Sequence, residues 1–310
     1  MALTEPRLSQ RKLLQIGLEA VAKGTEAATF YDMQVWDLEI KPTSENSFRR
    51  DTGLTTGVTV TGVNDGMQTG ECSFTTYMIT TGGNALIEGL SAAIQGCGTS
   101  LSTATYTPES THGDQKTVSI KAYVDGKLKK LTGCSGNFTW TVDGNIVVFK
   151  FEFSGLWAAP TDAGLPSTCS WSTRAPHSWG NASSTFTIDT NAIRISTFEF
   201  STGNTVAPRM HMGQPLYYFA SKREPTFKIE PETALVADYD FYGKRQACTP
   251  IAIAMGITNG TDVVTLTIPK LVITDIAEGD REGIFIEDVT GTCCSNTTGG
   301  GDDEYSIVVT

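Results

Sequence analysis

The residue types able to do chemistry in this 310-residue chain are thinly spread. Its three histidines, His112, His177 and His211, sit in polar or Pro/Gly-rich surroundings far apart in sequence. No HExxH, GxSxG, P-loop or dinucleotide fingerprint accompanies them. The seven cysteines are Cys72, Cys97, Cys134, Cys169, Cys248, Cys293 and Cys294. An odd count without paired metal spacing reads as reduced thiols. The adjacent Cys293-Cys294 could ligate a metal, but one ligand pair without a nearby histidine is a weak signal. Asp302-Asp303-Glu304 could hold a cation, as clustered carboxylates do; lacking EF-hand spacing, it reads as a solvated turn before the last strand. Four glycosylation sequons begin at Asn137, Asn181, Asn259 and Asn296. They matter only in an exported chain, and MALTEPRLSQRKLL lacks the apolar core and cleavage site of a secretory signal. The expectation is no catalytic residue, no metal, no cofactor and no enzymatic activity.

What the chain does carry is alternation. In Lys127–Pro160, the run Asn137–Val142 leads through the hairpin signal Asp143-Gly144 into Ile146–Ser154. Side chains alternate with period two, so Val147, Phe149, Phe151 and Phe153 share one face. Val148, Lys150, Glu152 and Ser154 share the other. Trp36, Leu38 and Ile40 alternate with Asp37, Glu39 and Lys41 in the same way. Cys72 and Phe74 alternate with Glu71, Ser73 and Thr75, and Phe227 and Ile229 with Lys228 and Glu230. Thirty-nine per cent hydrophobic residues and 18% charged ones suit a folded chain. No run of about 18 apolar residues predicts a membrane span. A net charge of −11 argues against a protein that coats nucleic acid.

Helices are expected in three places: residues 7–24 (RLSQRKLLQIGLEAVAKG), Asn84–Gln95, and Glu232–Ala247 despite Gly243. Pro42–Gly66 reads as a long polar connection with a strand-like TGVTV, and Cys97–Gln115 as a polar, flexible insertion. Ala158–Asn181, with three prolines, reads as a connection lying against a surface through Trp171 and Trp179. The order strand, strand, helix, hairpin, strand, strand recurs on both sides of it. The division is therefore an N-terminal arm or helix (1–30), a first β domain (31–157), a linker (158–181) and a second β domain (182–310). The fold class is mainly β: two tandem sandwich or barrel domains, each with a flanking helix.

KLKKLTGCSGNFTW, its hairpin, and FKFEFSGLWAAPTDAGLP resemble the major tail tube protein of long-tailed bacteriophages. RKLLQIGLEAVAKGTEA, GGNALIEGLSAAIQGCG, PKLVITDIAEGDREGIF and GDDEYSIVVT extend the likeness in order over most of the chain. The insertion at 97–115 and the loop at 293–301 depart from it. The resemblance implies sheets joined around an axis into rings, and rings stacked into a hollow tube. Two copies of the fold per chain imply a trimeric, pseudo-hexameric ring. Asp37, Glu39, Lys41, Glu71, Ser73, Thr75, Lys150, Glu152, Ser154, Lys228 and Glu230 then face the channel. Pro42, Glu45, Phe48, Arg49, Arg50, Asp51 and Leu54 lie in the implied ring-stacking loop. The implied partners are further copies, tail terminator, tape-measure and tail-tip proteins, and double-stranded DNA in passage. Such a protein is made in the host cytoplasm and resides in the virion. An acidic lumen that grips nothing suits a conduit. The competing reading is a virion-surface or receptor-binding β protein.

Overall fold

The computed structural model describes residues 11–19, 22–43, 47–49, 62–64, 68–212, 217–297 and 300–310. The first half contains β1 (Lys12–Leu18), β2 (Tyr31–Met33), β3 (Val35–Pro42), β4 (Ser47–Arg49), β5 (Gly62–Asn64), β6 (Thr69–Tyr77) and α1 (Glu88–Gly96). It continues with β7 (Thr99–Ser102), β8 (Thr105–Pro108), β9 (Val118–Val124), β10 (Lys127–Asp143) and β11 (Ile146–Asp162). The second half contains β12 (Thr185–Ile188), β13 (Asn191–Ala192), β14 (Ile195–Ser201), β15 (Asn204–Arg209), β16 (Tyr217–Arg223), β17 (Thr226–Pro231) and α2 (Phe241–Gln246). It ends with β18 (Ile251–Asn259), β19 (Asp262–Arg281), β20 (Ile284–Cys293) and β21 (Ser306–Val309). The fold is mainly β.

The expected alternation becomes pairing at the β10–β11 hairpin. Asp143 pairs with Ile146, so the two turn residues are Gly144 and Asn145, one position later than the Asp143-Gly144 signal. Val147, Phe149, Phe151 and Phe153 are all buried on one face. Val148, on the other face, is buried as well. The β9–β10 turn falls on Asp125-Gly126, whose φ values of 34° and 92° are what a type I′ turn requires.

Pairing order repeats between the halves. In the first half it runs β3-β6-β11-β10-β9-β1-β2. In the second it runs β14-β17-β20-β19-β18-β12-β13. A separate two-stranded hairpin interrupts each at the same point: β4–β5 between β3 and β6, and β15–β16 between β14 and β17. A helix follows the second strand of each set. The halves then join edge to edge, because β10 pairs with β14 through Thr139↔Ser201, Trp140↔Phe200 and Thr141↔Glu199. One antiparallel sheet of order β3-β6-β11-β10-β14-β17-β20-β19 results.

Its apolar side carries the core across that seam. Phe149, Trp140, Phe200 and Phe227 are neighbours on four successive strands, each fully buried. Trp140 stacks on Phe149 at 5.2 Å between ring centroids, and Phe138 tilts against Phe200 at 5.9 Å. Such pairs add to their area burial. α1 supplies Leu90, Ala93 and Ile94 to the same core. Its end is seated so closely that a Cβ on Gly96 would lie 2.8 Å from Val118.

Several expected elements differ. Residues 12–18 form a strand, not part of a helix; β1 pairs with β9 from Lys12↔Val124 to Leu18↔Val118 and with β2 on its other edge. Leu13, Leu14 and Ile16 are all buried. A strand covered on both faces lacks alternation and imitates a helical stripe. Of 232–247 only Phe241–Gln246 is helical, started by Asp240, whose carboxylate accepts from Gly243 N–H at 2.7 Å. Residues 97–115 are tied down: β7 pairs with β8, and β8 with β21, burying Tyr106. The expected linker begins inside β11, which runs to Asp162. The rest is pinned to both halves. Trp179 Nε1 donates to Ser196 O at 2.8 Å, His177 N–H to Met78 O, and Arg174 Nη2 to Asp262 Oδ2 at 2.7 Å. Trp171 remains exposed. TGVTV (56–60) lies outside the described residues.

Two measurements test this packing. Trp140→Ala is expected to cost about 3–5 kcal/mol in urea unfolding. Trp140→Phe is expected to cost far less, because the buried indole N–H has no hydrogen-bond partner to lose. The second concerns Asp262, whose carboxyl is held below its usual range by the Thr80 hydroxyl at 2.6 Å and by Arg174, against the opposing effect of burial. A depressed folded-state pKa contributes stability above the unfolded value of about 3.9, lost as pH falls through the folded value. Asp262→Asn is therefore expected to flatten the acid limb of urea midpoint against pH. It should also hasten tryptic cleavage after Arg174.

Candidate functional site: the polar face of the eight-stranded sheet

The face opposite the aromatic row is polar over most of its width, with Trp36, Tyr77 and the buried Val148 as the exceptions. Lys41, Glu71 and Ser154 form one cross-strand row, and Glu39, Ser73, Glu152 and Asn137 the next. Trp36, Thr75, Lys150, Thr139, Ser201, Thr226 and Thr292 form a third. Thr141, Glu199, Lys228, Thr290 and Asp275 form a fourth. The sets expected from β3, β6, β11 and β17 thus share one surface, and the β10–β14 seam makes it continuous. The seam itself was missed, although the TFEF run of β14 alternates in the same sense.

Two positions depart from expectation. Asp37 and Leu38 together oppose Phe74, because the register shifts between Trp36↔Thr75 and Glu39↔Ser73. This is a β-bulge, with Asp37 at φ 52°. The extra residue moves Trp36 off the core side, where Leu38 and Ile40 remain, and onto the polar face. There it packs on Tyr77 at 4.4 Å. Thr75 lies on the polar face but is only 7% exposed. Its cross-strand neighbours Trp36 and Lys150 flank it.

Carboxylates outnumber cationic groups on this face. Glu39, Glu71, Glu152, Glu199, Glu230, Asp275 and Asp288 stand against Lys41, Lys150, Lys228 and Arg281. Lys41 lies 3.4 Å from Glu39 and 3.8 Å from Glu71, and Lys228 lies 3.2 Å from Asp288. These pairs are solvent-exposed, where such contacts are worth about 0–1 kcal/mol each. Glu230 is held more firmly, accepting from Ser196 Oγ at 2.7 Å beside Arg281. Two shallow grooves run along the face. One, of about 330 Å3, is lined by Glu39, Lys41, Glu71, Asn137, Glu152 and Val206 of β15; the other, of about 320 Å3, by Thr141, Glu199, Lys228, Glu230 and Asp288.

Of the implied stacking-loop residues, Pro42 ends β3 in the open, and Phe48 and Arg49 lie in β4. Glu45, Arg50, Asp51 and Leu54 lie outside the described residues.

The other reactive residue types take structural positions. All seven cysteines are free thiols. Burial pushes the Cys72 thiol up to about 12, and raises Cys97 and Cys134 as well. Among the described residues, no group of three or more His, Cys, Asp or Glu is placed to hold a metal ion. The acidic triplet near the C-terminus ties strands together. Arg223 of β16 donates to Asp302 and Glu304 at 3.0 Å each. Asp303 accepts from Thr297 N–H and Ser295 Oγ at 2.8 Å, contacts that hold its carboxyl down at about 2. His112 and His211, distant in sequence, both meet Arg209 at the end of β15. Lys23 donates to His112 O, making a small cationic cluster. His177 is buried elsewhere, its Nδ1 facing Met78 O.

If the polar face is free surface, Lys150→Gln and Glu152→Gln should each change unfolding free energy by less than about 0.5 kcal/mol. Thr75→Lys, which buries a charge beside Lys150, should cost at least about 2 kcal/mol. Urea denaturation of the three variants separates these outcomes. No protein-family model matches the chain, and no curated protein matches it.

Proposed function

We propose that this chain is the repeating subunit of a phage-type tail tube, assembling into rings of three that stack around a DNA-conducting channel. The observation that carries the reading is the β10–β14 seam. In the repeated strand order β10 corresponds to β19, and β14 to β3. The inner edge of the first half therefore pairs, within one chain, with the outer edge of the second.

The same two kinds of edge are left over at the ends of the sheet. Among the described residues β3 pairs only with β6, and the C-terminal half of β19 pairs only with β20. Unpaired edges are templates for association. Joining β19 of one chain to β3 of the next repeats the internal seam, and closure removes both end edges of the eight-stranded sheet. Each chain contributes two four-stranded sets, so three chains give a pseudo-sixfold ring.

The net-acidic polar face then lines the lumen. It repels phosphate and holds no basic track that would retain DNA. The role is structural, with no chemical step. Terminator, tape-measure and tail-tip proteins would be its axial partners, and the virion tail its place.

Electron microscopy with native mass measurement of the purified chain tests this. The expected result is trimeric rings or stacks of them with an open centre. A chain that stays monomeric when concentrated, or rings with another chain count, overturns it. Deleting residues 44–61 is expected to leave trimeric rings that stack poorly.

A further inference from the structure

The free edge of β3 differs in one respect from the joined edge of β14. At the internal seam Thr202 N–H donates to Phe138 O, and Thr141 Oγ1 to Phe198 O at 3.0 Å. Backbone groups alternate across a strand, so Phe198, Phe200 and Thr202 are the residues of β14 that face β10. Asp37–Ile40 takes in β3 the place of Thr197–Phe200 in β14. Leu38 and Ile40, like Phe198 and Phe200, point into the core, while Glu39 and Glu199 lie on the polar face. Thr43 N–H donates to Thr69 O, which turns Lys41 and Thr43 toward β6 and the backbone of Ile40 away from it.

The outward carbonyls of β3 are already occupied. Lys12 Nζ donates to Leu38 O at 3.2 Å, and Lys129 Nζ to Ile40 O at 3.1 Å. The two lysines come from different strands, β1 and β10, yet end on neighbouring carbonyls of one edge. Lys12 shares a face with Leu14 and Ile16, and Lys129 with Leu131, so both reach the edge from the core side. Lys121 and Lys130 nearby pair with Glu26. Among the described residues Lys12 and Lys129 meet no carboxylate. Lysines so placed blunt an edge, and a joining strand has to displace them.

The strand expected to join carries the carboxylates to receive them. Asp143↔Ile146 closes the β10–β11 hairpin and Arg281↔Ile284 the β19–β20 hairpin. Counted back from these turns, Trp140 corresponds to Glu278 and Val142 to Asp280. In the register of the seam, where Trp140 faces Phe200, Glu278 comes opposite Ile40 and Asp280 opposite Leu38. Both acids share the face of Ile276, which packs on the core, and both are exposed. Within its own chain Glu278 sits directly opposite Glu287, an arrangement that costs stability. Burial and then the Glu278 charge push the Glu287 carboxyl up. Glu278 accepts from Tyr242 Oη at 2.9 Å, and Asp280 from Gly283 N–H at 3.2 Å. An arriving ammonium group would relieve the carboxylate pair.

We infer that Lys12 and Lys129 latch the β3 edge of the free chain and, at the joint between copies, pass to Asp280 and Glu278 of the second copy. The inference rests on the ring reading, to which it adds the register of the joint and the residues that select the joining strand. A strand without acids at these two positions would have to leave both ammonium groups displaced and unpaired.

The test uses the full chain, with association read by sedimentation velocity. One pair of changes is Lys12→Glu and Asp280→Lys, the other Lys129→Glu and Glu278→Lys. Each single variant is expected to need at least about tenfold higher concentration than wild type to associate, because like charges then meet across every joint. Both changes of a pair placed in one chain restore opposite charges at every joint, whatever number of chains closes the ring. Such a chain is expected to associate at the wild-type concentration or below it, since a glutamate cannot hold a carbonyl of β3. Melting profiles check that each variant is folded. Lys12 and Asp280 are both exposed, so their pair decides the matter should a change at the half-buried Lys129 unfold the chain. A folded single variant that associates like wild type, or a combined variant no better than its singles, overturns the inference and leaves the ring reading standing. A wild-type chain that is monomeric at every concentration sinks both.

Discussion

Everything in this molecule depends on one short joint, three residue pairs long, where β10 meets β14. Without it the two strand sets are separate sheets, each with a raw edge facing the other, and the halves keep, among the described residues, only the short β8–β21 strand pairing between them. The hydrogen bonds there contribute only modestly, at about 1 kcal/mol each. The side chains beneath them matter more. Phe149, Trp140, Phe200 and Phe227 lie in one row across the joint, so neither half can keep its aromatic core packed while the other pulls away. The connecting segment reinforces this by bonding to both halves through Trp179, His177 and Arg174.

The same joint decides what the polar face can be. Alternation turns the residues between the buried aromatic rings outward, and in these strands most of them are polar. Once the halves share a sheet, those outward residues form a single acidic surface eight strands wide. A duplicated strand order joined edge to edge within one chain is also a rule for joining the next chain, because the edges left over are of the same two kinds.

Strongly alternating runs were legible in the sequence. The β10–β11 hairpin, the core faces of β6 and β17, and the repeat of strand order all follow from period two. Three things were not, for different reasons. β1 is buried on both faces, so Leu13, Leu14 and Ile16 show no alternation and mimic a helix. The Asp37 bulge inserts one residue without any glycine or proline to mark it, so Trp36 was placed on the wrong side. The charged face was found strand by strand, but its continuity rests on a long-range pairing between Thr139–Thr141 and Glu199–Ser201 that no local pattern encodes. Likewise, His112, His211 and Arg209 converge only because β15–β16 folds back over the first half.

The bulge at Asp37 and Leu38 has a consequence beyond the misplaced tryptophan. β3 is an outer edge, and a flat, regular edge accepts any passing strand, including those of half-folded chains and of unrelated proteins. A residue at φ 52° interrupts its ladder, and a carboxylate stands at the interruption. Only a strand whose own shape tolerates that kink can zip along the full length. The irregularity therefore narrows the set of strands able to pair along the whole of β3.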